Sequence, residues 1–303
     1  MGSEEAKGSG WAAGGRTWIP WAVLAGGLIS VSASAVLIRF ARDAHPLAIA
    51  FWRCAGAVIV LGPLAGRGLH RIDRRGWSVS LAAGLFLAVH FATWITSLEL
   101  TTVAASVLLV STTPIFVGAA SWLVFKEKLS STAWIGILLT FVGAGVIGGG
   151  DLSGSNFTGD LLALIGGATA AGYVLAGRAA RRKLGNVEYS FVTYAVSGVA
   201  VLGLCLMVGT PLWGYRAPTW TALVAIIIGP QLLGHTLINY VLKQIDATIV
   251  SVAIMVEPLI ATWLAFVFLD EVPTLLVYPA GLAIIAGIYL VSTTRRDTPE
   301  VVT

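Results

Sequence analysis

Residues 112–128 read TTPIFVGAASWLVFKEK, and residues 256–272 read VEPLIATWLAFVFLDEV. The second stretch follows the first by 144 positions, which sets Pro258 on Pro114 and Glu271 on Glu127. Gly287 falls on Gly143 at the same offset. Earlier in the chain an offset of 140 relates Gly166-Gly167 to Gly26-Gly27 and Phe191 to Phe51. Unequal loops absorb the change. Each identity is weak alone, and their common order is the signature of an internal repeat.

The repeat is written in apolar runs. A spanning helix needs roughly 20 apolar residues, because lipid offers its backbone no hydrogen bonds. Ten runs meet that length: Trp18–Ile38, Leu47–Gly66, Trp77–Leu98, Thr101–Phe125 and Thr132–Gly149, then Gly159–Gly177, Tyr189–Val208, Thr219–Leu242, Ala247–Leu269 and Thr274–Thr293. The expected fold is an all-α membrane protein of ten transmembrane helices. The first repeat would occupy 18–150 and the second 159–293. Residues 1–17 and 294–303 would form tails, the first small, polar and disordered. Trp18, Trp21, Trp77, Trp134, Trp213, Trp220 and Tyr278 fall near span ends, where amphipathic rings favour the headgroup zone.

Charge sets the orientation, since Lys and Arg keep loops cytoplasmic. Of 19 such residues, fifteen fall on the side of the N-terminus, among them Arg67, Arg71, Arg74, Arg75, Lys126, Lys128, Arg181 and Arg182. Only Arg39, Arg42 and Arg216 fall opposite, and Arg53 lies within a span. Both termini are therefore expected in the cytoplasm. Five spans is an odd number, so the second copy would enter the bilayer inverted. Inverted repeats are an architecture of alternating-access transporters, whose site lies near the midplane between the copies.

Composition excludes other classes. Hydrophobic residues make up 57% of the 303 and charged ones 11%, against about 25% charged in a soluble domain. The net charge of +4 follows from the loop bias and does not point to nucleic acid. Cys54 and Cys205 lie in apolar runs without metal spacing, so neither a disulfide framework nor a zinc site is expected. Gly143-Ala144-Gly145-Val146-Ile147-Gly148 matches G-x-G-x-x-G, but it closes a membrane helix rather than a strand–helix turn. No ATP-binding loop, H-E-x-x-H or G-x-S-x-G motif occurs, which argues against an ATP-driven pump or an intramembrane enzyme.

The stretch from Thr113-Pro114-Ile115-Phe116 through Lys126-Glu127-Lys128-Leu129 to Gly143-Ala144-Gly145 resembles the EamA-type repeat of the drug/metabolite transporter superfamily. So does Gly234-His235-Thr236-Leu237-Ile238-Asn239-Tyr240, followed by Glu257-Pro258 and Leu269-Asp270-Glu271. The resemblance implies a ten-helix secondary transporter exporting small metabolites, amino acids or drugs. It also implies a central cavity built largely from the third, fourth, eighth and ninth helices. Thr113 stands where the second copy has Glu257, so the copies differ chemically at this depth.

Six residues are candidates for solute contact: His90, Trp94, Thr113, His235, Asn239 and Glu257. Glu257 lies near the middle of its span, where a charge costs at least about 2.5 kcal/mol. It is the candidate for proton coupling or for pairing a solute amine; the alternative is a structural carboxyl beside a kink. Pro114 and Pro258 each deprive a carbonyl four residues back of its amide partner and are candidate hinges. The alternative is curvature for packing alone. His90 and Trp94, like His235 and Asn239, are spaced i, i+4 and share a face. They can offer hydrogen bonds to a solute, or serve as interhelical bonds. Arg53 reads as snorkelling to the outer headgroups, with attraction of an anionic solute as the alternative. Glu127 and Glu271 read as interfacial. The small-residue stripes Gly26, Ser30, Ser34 and Ala168, Gly172, Ala176 read as packing faces.

The expected function is export of a small organic solute across the plasma membrane, driven by proton exchange or by the solute's own gradient. The partners would be that solute and the lipid bilayer, with no cofactor; the pattern specifies no oligomer. The rivals are an exchanger of nucleotide sugars or sugar phosphates and, from another class, a channel or an intramembrane enzyme. Phosphate exchange needs Lys or Arg in the cavity, and the fourth, eighth and ninth spans have none in mid-span.

Overall fold

The computed structural model describes residues 18–66, 68–101, 103–126, 129–147, 156–269 and 275–294. The tails, Glu127, Lys128, Asp270 and Glu271 lie outside these residues, and so does what was expected of them. Among the described residues every regular element is a helix, and none is a strand. Seven helices are long and apolar enough to cross a membrane, and three more are apolar but shorter: Leu108–Leu123, Ser131–Val146 and Val277–Thr293.

The first five runs form α1 (Ile19–Ser32), α2 (Ser34–Phe40), α3 (Pro46–Ala65), α4 (Arg74–Leu100), α5 (Val103–Val110), α6 (Thr113–Phe125) and α7 (Ser131–Ile147). The remainder form α8 (Phe157–Arg181), α9 (Asn186–Val208), α10 (Ala217–Ile226), a π-helical segment Ile227–His235, α11 (Thr236–Val241), α12 (Ala247–Ile254), α13 (Glu257–Leu269) and α14 (Val277–Thr293). Local chemistry explains the starts. Asp73 caps α4 by accepting from Gly76 N at 2.7 Å, Asn156 caps α8 through Thr158 N at 2.9 Å, and Asp246 caps α12 through Thr248 N at 2.7 Å. Pro46 opens α3, where its missing N–H costs nothing.

Four runs are irregular along their length, three at short breaks and one at a stretch of wider winding. α1 gives way to α2 at Ala33, and α5 to α6 across Ser111-Thr112. The run from α10 to α11 passes through nine π-helical residues around Pro230, and α12 gives way to α13 across Met255-Val256. Pro114 and Pro258 account for the second and fourth of these, because each stands one residue inside the resumed helix. The other two lie within runs expected to be continuous.

Small residues let the helices approach. α4 lies along α8, where Trp94 Cβ would stand 3.2 Å from a Cβ on Gly166. α1 lies along the π segment and α11, with Gly27 against the Gly234 carbonyl. These are equivalent pairings with the two segments exchanged. α3 pairs with α9, and α7 with α14. In the last pair a Cβ on Gly136 would meet the Gly287 carbonyl at 2.7 Å, so the backbones touch. In the first stripe the packing glycine is Gly27; Gly26 faces open space. Outward, Ile59, Leu64, Leu206, Met207 and Leu282 present exposed apolar side chains to the lipid.

Candidate functional site

The breaks converge on one cavity of about 880 Å³, its open mouth included. Its wall takes Val31 and Ser34 from either side of the Ala33 break. Val110, Ser111, Thr113 and Pro114 come from the second break, His235 and Ile238 from the end of the π segment, and Ile254, Met255, Glu257 and Pro258 from the last. α4 adds His90 and Trp94, α8 adds Tyr173, and α3 adds Arg53. Interrupted helices release backbone groups that lipid cannot serve, and a protein-lined cavity is where such backbone is tolerated.

Five of the six candidate contact residues line this cavity: His90, Trp94, Thr113, His235 and Glu257. Both candidate hinge prolines line it as well. His90 and Trp94 stack with rings 5.8 Å apart and 6° from parallel. His90 Nδ1 lies 2.9 Å from the Gly166 carbonyl oxygen, so this nitrogen carries a hydrogen, and in the neutral ring Nε2 is an acceptor. His235 sets its ring edge-on to Phe91 at 5.3 Å. The Thr113 hydroxyl is shared between the Val110 carbonyl at 2.8 Å and the Gly167 carbonyl at 3.0 Å.

Asn239 is not in the cavity wall. It is wholly buried, and its amide is occupied between helices. The Tyr173 hydroxyl donates to Asn239 Oδ1 at 2.7 Å, and Asn239 Nδ2 donates to Ser190 Oγ at 3.2 Å. Arg181 Nε donates to the Asn239 carbonyl at 3.0 Å. His235 and Asn239 do share a face, since Tyr173 meets the His235 ring at 6.0 Å and the Asn239 amide at 2.7 Å, but of the two His235 lines the cavity. The pair straddles a change from wide to ordinary helical winding.

Arg53 is the residue whose reading changes most. It does not reach the headgroups: it is 1% exposed and lines the cavity. Arg53 Nε donates to Gln231 Oε1 at 2.8 Å, and the guanidinium carbon lies 3.9 Å from the Phe91 ring centroid. Hydropathy does not reveal which way a side chain turns, and here the Phe91 face and the Gln231 amide turn it inward. A cation is therefore present in the cavity, supplied by the second run rather than by the fourth, eighth or ninth.

A polar clasp lies outside the spanning segments, between the end of α2 and the start of α10. Thr219 Oγ1 donates to Asp43, and the Arg216 amide donates to Asp43 Oδ2 at 3.1 Å. These bonds, the threonine's first, hold the Asp43 carboxyl down at about 2. Beside the clasp, Trp52 Nε1 donates to the Leu212 carbonyl at 2.8 Å, and the Trp52 ring meets Trp213 and Trp220 edge-on.

The EamA-like transporter family model matches residues 16–149 and again 157–293. An uncharacterized transporter of Archaeoglobus fulgidus is 25% identical over 267 residues, covering 84% of this chain and 91% of that one. The uncharacterized transporter YdfC of Bacillus subtilis is 28% identical over 193 residues, 62% of each chain. A crystal structure superimposes with a TM-score of 0.73 at 21% identity, covering 90% of this chain and 96% of that one. At that identity the likeness speaks for the fold.

Proposed function

Because the chain belongs to the EamA-like transporter family, we propose that it exports a small organic solute by exposing the central cavity alternately to the two sides of the plasma membrane. The observation that carries this reading is the meeting of three helix breaks and the end of the π segment at one cavity. A cavity lined by interrupted helices can change its openings by small rotations about the breaks. Pro114 and Pro258 are the hinges of this scheme. His90, Trp94, Thr113, His235 and Glu257 are its solute contacts, and Asn239 braces the wall behind them.

The orientation belongs to the same proposal. The seven long and three shorter apolar helices support ten spans. The exchanged pairing of α4 with α8 and of α1 with the π segment and α11 supports two copies related by inversion, residues 18–150 and 159–293. Loop charge supports cytoplasmic termini. The activity is movement without covalent chemistry, and Glu257 is its proton-coupling group.

A metabolite comparison tests the proposal. Cells overproducing the chain, set beside cells lacking it, are expected to release one solute class in excess. Equal extracellular and intracellular pools for every solute would overturn the export reading.

A further inference from the structure

A guanidinium buried among membrane helices without a carboxylate against it is costly, and its usual justification is a function. Among the described residues, no carboxylate oxygen lies within ion-pair distance of Arg53. Its Nε is held by Gln231 Oε1 at 2.8 Å, and its carbon rests on the Phe91 ring. Arg53 Nη1 has no hydrogen-bond partner within the protein. Gln231 is wholly buried beside it, and its amide must turn oxygen-first because arginine only donates. Its Nε2 is consequently a donor as well, and it too lacks a partner. On α4, one turn from Phe91, the Trp94 indole Nε1 is a third unpartnered buried donor. Two of these donors, Arg53 Nη1 and Trp94 Nε1, belong to residues of the cavity wall and call for an acceptor supplied by a solute.

We propose that Arg53, held from behind by Gln231, forms an anion subsite that receives the carboxylate of a small organic monocarboxylate, with Trp94 Nε1 as a further donor. The inference rests on reading the cavity as the solute site. It adds the chemical class of the solute, one contact residue, Arg53, and one positioning residue, Gln231. Charge count selects the class. Among the lining residues Arg53 is the one guanidinium or ammonium group and Glu257 the one carboxyl. With Glu257 carrying the proton that its proposed coupling role requires, a single negative charge on the solute is balanced by Arg53. A phosphate dianion would bring two charges against one guanidinium, with Glu257 in the same cavity. Geometry agrees: Nε is anchored, which leaves the outer nitrogens for a planar carboxylate. The Phe91 face fixes the plane of the fork.

Equilibrium binding to the purified full chain in lipid nanodiscs tests this, with acetate, butyrate and 3-phenylpropanoate each set against its neutral amide. The expected result is that at least one carboxylate binds at least about tenfold more tightly than its amide. Arg53→Gln removes that preference, and Arg53→Lys keeps part of it. Gln231→Glu is the second variant, for the case that Arg53→Gln does not fold. It sets a carboxylate against Arg53 Nε and should abolish the preference while Arg53 stays buried and paired. Equal binding of carboxylates and amides would overturn the inference and leave the cavity as a solute site. So would a preference that survives in Arg53→Gln or Gln231→Glu. Failure of every carboxylate to bind at about 10 mM, where even weak sites fill, would also overturn it, independently of the metabolite comparison.

Discussion

Thr113 Oγ1 donates to Val110 O at 2.8 Å, and Val110 O is the carbonyl that Pro114 leaves without an amide partner. The residue before the proline thus repairs the damage the proline does. The same hydroxyl reaches the Gly167 carbonyl at 3.0 Å, so the repaired break is also tied to α8. At the equivalent break the residue before Pro258 is Glu257, whose carboxyl can donate a hydrogen bond only when protonated.

Thr113→Val keeps the shape of the side chain and removes the donor. Two carbonyls then lose a partner, and stability should fall by about 1–3 kcal/mol. Thr113→Ser should recover most of it. Thermal unfolding in detergent measures both; a valine variant as stable as the parent would show that the hydroxyl is not needed at the break.

Glu257→Gln removes the charge and keeps the volume. Once the solute is known, this variant in proteoliposomes should transport without dependence on an imposed pH gradient. Retention of the parent's gradient dependence, with normal folding, would exclude Glu257 as the coupling group.

Asn239→Leu deletes the amide that joins α8, α9 and α11. The Tyr173 and Ser190 hydroxyls are each deprived of a buried partner, at a cost of about 1–3 kcal/mol. Solute affinity per folded molecule should change less than twofold, because Asn239 does not line the cavity. A large loss of affinity at unchanged stability would reverse that assignment.

Asp43 predicts a pH response. Its carboxyl is held at about 2 in the folded chain, below its ordinary value of 3.8. The clasp therefore stabilises the fold fully above about pH 4, and the stabilisation is lost as pH falls through about 2. Asp43→Asn should lower the melting temperature at neutral pH, and the gap to the parent should close as pH falls from 4 toward 2. A constant gap across that range would assign the clasp to something other than the charged carboxylate.

The helices were largely legible in the sequence. Leu47–Gly66 is observed as Pro46–Ala65, and Trp77–Leu98 as Arg74–Leu100. Apolar length is imposed by the bilayer, so it survives reading without partners. The breaks at Pro114 and Pro258 were legible because proline acts locally. The π segment carries a local signal in Pro230, which lacks an N–H, whereas the break at Ala33 has none. Arg53 was misread for the same reason. Its direction is decided by Phe91, 38 positions away, and Gln231, 178 positions away.

α14 has a consequence for the lipid. Its 17 residues reach about 26 Å at 1.5 Å per residue, short of a hydrocarbon layer of about 30 Å. α4 and α8, with 27 and 25 residues, are about 40 and 38 Å long. Acyl chains beside α14 must compress, or the helix must sink, and the energy of that mismatch changes with the lipid. Any rocking that tilts α14 against the long pair would be felt by the surrounding membrane, so the host's acyl-chain length bears on the resting shape of the protein.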